Sequence, residues 1–323
     1  MKIAIIGPIH EDGYNILKNA RYDFFEINNF KADFLKSNLH DVDGIILRTA
    51  KLSKNILSKC KKLKIIVRHG VGYDNVDLKY LNSKKIALGI TSTSNAVSVA
   101  EHVLTCFLSL TKNLHLSDSL TRKGNFNKKS ELPNFFEIYK KNILILGFGR
   151  IGQAVAKRCL GFEAKVYVCD PYVSQNFIKK KHCIPINKLE GFKIADYITI
   201  HLPLNKKTKN LISKKEFNIF KKNLILVNTA RGGVIDEKAL FEALKNKKIS
   251  AAAIDVYEKE PPSIKNSLFS LDNIIFSPHN AALTIECRKR MSVETCETII
   301  NYLKKNKKLN YNNIVNKDKI GII

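Results

Sequence analysis

Three side chains late in the chain are of types that can run acid–base chemistry on a carboxylic acid. They are Arg231 in Asn228-Thr229-Ala230-Arg231-Gly232-Gly233, Glu260 in Glu258-Lys259-Glu260-Pro261, and His279 in Ser277-Pro278-His279-Asn280. An imidazole titrates near neutrality and can take or give a proton. A carboxylate against its other ring nitrogen fixes the tautomer and favours the charged form. A guanidinium can grip a substrate carboxylate with two hydrogen bonds and polarise the adjacent carbonyl. Each residue also has an ordinary structural use: Pro-His as a capped loop, Glu before Pro-Pro as surface, Arg before Gly-Gly as scaffold. Their joint reading depends on what precedes them.

What precedes them is the stretch from 143 to 170. Ile143-Leu144-Ile145-Leu146 reads as a strand and runs into Gly147-Phe148-Gly149-Arg150-Ile151-Gly152. A helix follows, and a second apolar run, Val166-Tyr167-Val168-Cys169, ends on Asp170. Gly147 allows a tight turn, Gly149 lets a pyrophosphate approach the backbone, and Gly152 lets the helix pack close to the strand. The N–H groups near Arg150 and Ile151, at the helix start, can bind the phosphates. Asp170 can accept hydrogen bonds from the adenosine ribose and would repel a 2′-phosphate, so the expected cofactor is NAD rather than NADP. The flanking strands and the placed Asp make the motif far more specific than a bare G-x-G-x-x-G, and weigh against glycines that serve packing alone. Behind such a fold, the three residues read as the machinery of alcohol dehydrogenation. A base takes the hydroxyl proton while a hydride leaves for nicotinamide.

The elements that must position these groups form two arrays. Between residues 1 and 95, strands are expected at Lys2–Ile6, Gly44–Leu47, 63–67 and Ala87–Ile90, with helical spacing between them. From 141 to 283, further strands are expected at 197–201, 224–227, 251–256 and 273–276, with a helix at 238–244. Alternation of this kind predicts parallel sheets covered by helices on both faces. Residues of chemical interest sit just past the strand ends: Arg48, Arg68 and the 91–95 turn in the first array; Gly147, Asp170, His201, the 228–231 turn, Asp255 and His279 in the second. Open α/β sheets bind ligands along that edge, and two such edges facing each other would form an interdomain cleft. Ser98-Val99-Ala100-Glu101 reads as a capping box starting a buried apolar helix to about Leu114. Residues 115–140 lack periodicity and read as an extended arm for subunit association, giving a homodimer. A helix over 283–305 returns to the first domain, and the polar tail from Asn306 reads as loosely ordered. The expected division is 1–97 plus 284–323 for substrate, and 98–283 for the dinucleotide, the latter including a dimerisation helix and arm over 98–140.

Length and composition bound the rest. The 323 residues suit two domains, and 45% hydrophobic with 26% charged residues is ordinary for a soluble protein. No apolar run approaches the roughly 18 residues of a membrane helix, and the first apolar run is too short for a signal peptide. Seven scattered cysteines lack metal-type spacing, so reduced thiols in a cytoplasm are expected, with no disulfide frame and no metal site. The net charge of +26 comes mostly from lysines paired beside turns. It reads as solvated faces rather than a specific nucleic-acid surface, though the field would draw in small anions.

The chain resembles the D-isomer-specific 2-hydroxyacid dehydrogenase family, and within it the phosphoglycerate dehydrogenases, over nearly its whole length. The stretches that carry the likeness are Arg68-His69-Gly70-Val71-Gly72-Tyr73-Asp74-Asn75-Val76-Asp77, Gly147 to Gly152 with Asp170, Asn228 to Asp236, Ala251 to Glu260, and Pro278 to Ala281. The resemblance implies two doubly wound parallel-sheet domains, flavodoxin-like for the substrate and Rossmann for NAD. It implies hydride transfer at C2 of a small D-2-hydroxy acid, with 3-phosphoglycerate and 3-phosphohydroxypyruvate the first choice. In that reading Arg231 binds the substrate carboxylate, Glu260 orients the imidazole and His279 is the acid/base. Asp255 is similar to the Asp that holds the nicotinamide amide, and Leu202, Pro203, Thr229, Ala230 and Ala281 line the cofactor with Arg231 and His279. Val71 and Gly72 resemble the loop whose N–H groups hold the carboxylate. Arg48 and Arg68 have counterparts that meet a phosphate; Lys51 could join them, and His69 could touch substrate. The alternative is that both arginines pair with acids or cap strands.

Two departures from the family pattern keep other substrates open. Val71 replaces a hydroxyl residue common at its position, and no serine-sensing domain is expected after the last helix. The alternatives are glycerate/hydroxypyruvate, a sulfonated hydroxy acid, or a non-catalytic module that senses NAD(H). Formate and phosphite dehydrogenases share the fold, but Arg231, Glu260 and His279 form the hydroxy-acid pattern.

Overall fold

All strand pairs in the two sheets run parallel, as the alternation of apolar runs and helical segments predicts. The computed structural model describes residues 1–322. The first sheet contains β1 (Lys2–Ile6), β2 (Asp23–Ile27), β3 (Gly44–Leu47), β4 (Ile65–Arg68) and β5 (Ala87–Ile90), in the order β2-β1-β3-β4-β5. The second contains β6 (Asn142–Leu146), β7 (Lys165–Cys169), β8 (Ile184–Pro185), β9 (Tyr197–Ile200), β10 (Ile225–Asn228), β11 (Ala251–Ile254) and β12 (Ile274–Phe276), in the order β12-β11-β10-β9-β6-β7-β8. The first order is that of flavodoxin-like sheets, and the second is the dinucleotide-binding order with one strand added. The chain divides into two compact units, Met1–Asn95 with Leu283–Ile323, and Ala96–Ala282.

Burial on both faces explains the continuous apolar runs. In β6, Ile143 and Ile145 pack into one cluster with Phe107, Val155 and Cys159, while Leu144 and Leu146 pack into another with Phe192, Ile198 and Leu226. In β1, Ala4 and Ile6 likewise face one side, and Ile3 and Ile5 the other. Each fully buried Ile or Leu contributes about 1.5–3 kcal/mol relative to exposure. No helix among the described residues is long and apolar enough to cross a membrane. All seven cysteines are free thiols.

The elements depart from expectation in five places. Two strands, β2 and β8, were missed; both lie at sheet edges, where one apolar face suffices and the apolar run is weak or short. The buried helix spans Ala96–Lys112, so Ser98 lies inside it and is itself buried; it is not a cap. Asn113 adopts a left-handed conformation (φ 45°) that ends this helix, and a new helix, Leu114–Arg122, starts at once. Residues 115–140 are therefore partly helical, with a 3₁₀ segment at Phe126–Glu131. Finally, the tail is not loose. Val315 N–H donates to Leu88 O at 2.8 Å, and the buried Asn316 accepts from Leu88 N–H at 2.8 Å, so the polar tail adds hydrogen bonds to the edge strand β5. Its asparagines hid this, because their role is pairing with backbone rather than apolar burial.

Candidate active site

The turn after β6 shows why its glycines are required. Gly147 has φ 93°, and a Cβ there would lie 2.6 Å from His201 O. A Cβ on Gly152 would lie 2.1 Å from Gly147 O, so only glycine lets the helix Arg150–Gly161 sit this close to the strand. At Gly149 the opposite holds: a Cβ would meet nothing within 4 Å. That open side of the backbone, beside the first N–H groups of a 12-residue helix, fits a pyrophosphate. Asp170, at the end of the neighbouring strand, accepts from Phe148 N–H at 2.7 Å and from Tyr172 N–H at 2.8 Å. Each of its oxygens can take a further donor, which fits ribose hydroxyls beside the turn. Thr229 Oγ1 is buried without a hydrogen-bond partner among the described residues. An unmade bond there costs about 1–3 kcal/mol, which a ligand contact would offset. Leu202 packs at Gly147, and its neighbour Pro203 is exposed. Within this unit, the donor set and the space fit a dinucleotide.

The acid–base pair forms at the same sheet edge. His279 Nδ1 lies 2.8 Å from Glu260 Oε2, with the side chains 49% and 39% exposed. Because the carboxylate can only accept, Nδ1 carries a proton and Nε2 is the nitrogen that titrates. The bond to Glu260 raises the His279 pKa above 6.5; burial opposes it, and the charges of Glu260 and Asp255 add to it. Burial alone would raise Glu260, but the bonds from His279 and from Tyr257 N–H, with the nearby Arg231 charge, bring it below the usual value. Arg231 thus acts electrostatically on both members of the pair. Its turn is pinned by Asn228, whose Oδ1 accepts from Ala230 N–H and whose Nδ2 donates to Arg231 O, each at 3.0 Å. Gly232 sets this turn against the Glu260 loop: a Cβ there would fall 1.8 Å from Tyr257 O.

His279 sits at φ 52°, a left-handed conformation that costs a non-glycine residue about 1–2 kcal/mol. Asp255 holds it there. This carboxylate, only 2% exposed, accepts from Ser277 Oγ at 2.6 Å, Asn280 N–H at 2.9 Å and Ala281 N–H at 3.1 Å. Asp255 thus gathers protein donors around the His279 turn, a loop-holding role that the sequence did not suggest. Ser277 also contacts His102 Nε2 at 3.1 Å. Since Ser277 donates its one proton to Asp255, His102 must donate to Ser277. Neither Ser277 nor His102 was singled out from sequence, although Ser277 stands two residues before the histidine.

In the other unit, Arg68 turns back on its own loop. Its Nε donates to Gly72 O at 2.6 Å and its Nη1 to Leu47 O at 2.8 Å, so it shapes the Val71–Gly72 turn and caps β3. Arg48 donates from Nη1 to Pro8 O at 3.0 Å. His69 is packed against Ser292 Oγ at 3.0 Å, and burial pushes its pKa down to about 4. Lys51 is exposed.

A parallel sheet in dinucleotide order, with a glycine turn, a carboxylate at the next strand and an imidazole–carboxylate pair along one edge, defines a nucleotide-dependent oxidoreductase fold. Residues 104–281 match the family described as "D-isomer specific 2-hydroxyacid dehydrogenase, NAD binding domain", and the chain belongs to the D-isomer-specific 2-hydroxyacid dehydrogenase family. It is 36% identical to D-3-phosphoglycerate dehydrogenase of Methanocaldococcus jannaschii over 93% of this chain and 57% of that protein. The chain therefore spans little more than half the length of that relative. It is 33% identical to hydroxypyruvate reductase of Thermotoga maritima, over 94% of this chain and 98% of that one. Its fold matches D-lactate dehydrogenase of Aquifex aeolicus, solved with NAD and lactic acid, with a TM-score of 0.87 and 28% identity over 97% of this chain and 98% of the other.

Proposed function

We propose that this chain oxidises or reduces C2 of a small D-2-hydroxy acid with NAD, the substrate pair being 3-phosphoglycerate and 3-phosphohydroxypyruvate. The observation that carries the reading is the 2.8 Å contact between His279 Nδ1 and Glu260 Oε2, held beside Arg231 at the edge of a dinucleotide fold. Arg231 binds the substrate carboxylate through its planar fork and so orients C2. His279 Nε2 takes the hydroxyl proton on oxidation and returns it on reduction. Glu260 keeps the proton on Nδ1 and stabilises the imidazolium that results. NAD, when bound, supplies the hydride acceptor, with Gly147 to Gly152 at its diphosphate and Asp170 at its ribose. The reading also requires cationic side chains for the second charge of the substrate. The relatives named phosphoglycerate dehydrogenase support this choice.

A second reading is hydroxypyruvate/glycerate. It is favoured by the position of Arg68, whose guanidinium is engaged with Gly72 O and Leu47 O, and by the Thermotoga relative.

The test is a panel of 2-hydroxy and 2-oxo acids followed by nicotinamide absorbance. His279→Ala and Arg231→Ala are each expected to lower kcat/KM by about 10²–10⁴ while NAD affinity changes little. Turnover on none of the panel, or variants as active as the native chain, overturns the reading.

A further inference from the structure

Arg68 donates to its own loop and to Leu47 O, while Arg48, the other arginine the sequence offered for a second anionic group, follows β3. The structure supplies another arginine. In the sheet, β3 lies between β1 and β4. The loops after those two flanking strands converge on one hydroxyl of the helix Ile285–Leu303. His10 N–H donates to Ser292 Oγ at 2.8 Å, and His69 Nε2 lies 3.0 Å from the same oxygen. Ser292 donates in turn to Arg288 O at 2.9 Å. Residues 288 and 292 are one turn apart on one helix face, and side chains on a helix lean toward its N-terminus. That lean directs Arg288 toward the end of β3, where the Arg48 methylenes lie against Gly7.

The electrostatics agree. Burial lowers the Arg48 pKa, and the Arg288 charge lowers it further; Tyr14 opposes them, and no Asp or Glu among the described residues shifts it. The nearby carboxylates are occupied elsewhere. Asp12 pairs with Lys289 at 2.9 Å, and Glu26 accepts from Tyr14 and Asn28. Two guanidiniums that feel each other's charge repel, and an anion shared between them relieves that repulsion.

We propose that Arg288 is a specificity-determining residue that, with Arg48, binds the second anionic group of a three-carbon hydroxy acid. A tetrahedral oxyanion, phosphate or sulfonate, fits the paired forks, and the pair sets a preference for dianionic over monoanionic substrates. This rests on the hydroxy-acid reading above and goes beyond it in naming the residue that selects the class.

Two measurements on the full chain test it. The first is kcat/KM for 3-phosphohydroxypyruvate and for sulfopyruvate, each relative to hydroxypyruvate. The second, independent of turnover, is calorimetric binding of inorganic phosphate. Arg288→Gln is expected to lower the dianion-to-monoanion ratio about 10–100-fold, chiefly through KM, and to weaken phosphate binding to a similar degree. Arg288→Lys restores part of both, because it keeps the charge without the fork. The arm with the larger loss identifies phosphate or sulfonate as the group read. If the ratio and the phosphate affinity of Arg288→Gln match those of the native chain, or the native chain binds no phosphate, the proposal is wrong. Turnover of hydroxypyruvate with phosphate binding insensitive to Arg288 sinks this inference alone. Phosphate binding that depends on Arg288, with no turnover of any 2-oxo acid, keeps the anion site and sinks the dehydrogenase reading.

Discussion

At the scale of single residues, proton transfer turns on which nitrogen of His279 is occupied. Glu260 holds Nδ1, and that bond raises the imidazole pKa above its ordinary value of 6.5. The sign follows directly. Oxidation needs neutral imidazole, so its rate should climb with pH through the raised pKa, while reduction needs imidazolium and should fall through it. Glu260→Gln keeps the shape but removes the charge, so both profiles should move toward lower pH. The pH dependence of kcat/KM in each direction checks this; profiles that stay in place would mean Glu260 does not set the titration. The same pair has a linked effect on folding. A raised histidine pKa contributes stability below about 6.5 that is lost as pH rises through the folded-state value. With side chains 49% and 39% exposed, solvent screening keeps that contribution small.

At the scale of elements, close approach governs the cofactor turn and hydrogen bonding governs the catalytic one. Gly152 is packed against a backbone carbonyl that cannot yield without moving β6. Gly152→Ala should therefore destabilise the dinucleotide unit by about 3 kcal/mol, at the upper end of ordinary overpacking, and abolish NAD binding. Chemical denaturation and NAD titration of the same sample measure both. Retention of native NAD affinity would contradict the packing argument. The His279 turn is held differently, by one buried carboxylate that collects a hydroxyl and two N–H groups. Its strained φ is maintained by Asp255 from the end of β11, through Ser277 and the backbone, with His102 bonded behind Ser277.

At the scale of the whole molecule, the helix Leu114–Arg122 buries none of its residues within its own chain. Leu114, Phe126 and Phe135 are 63%, 65% and 50% exposed. We propose that this arm is covered by a second copy of the chain. Sedimentation should give a dimer, and Phe126→Asp with Leu114→Asp should give a folded monomer; a native monomer at micromolar concentration would refute the proposal. The net charge of +26 favours small anions at low salt but sets no specificity by itself.

Much of this was legible in the residues alone. The two parallel arrays and the G-x-G-x-x-G turn with Asp170 follow from periodicity and from spacing along one chain, and Arg231, Glu260 and His279 were singled out by residue type near the ends of late strands. Those signals are local, because a strand buried on both faces must be apolar throughout and a phosphate turn needs glycine at fixed offsets. Only the tertiary structure decided which groups spend their hydrogen bonds inside the protein. Arg68 and Arg48 looked equal, and the structure gives Arg68 bonds to Gly72 O and Leu47 O; Asp255, expected at the cofactor, also secures the His279 turn. Ser292, which carried no motif, joins the loops after β1 and β4 to the Arg288 backbone. Partnerships of this kind join residues distant in sequence, so their geometry exists only once the sheet has set its strand order.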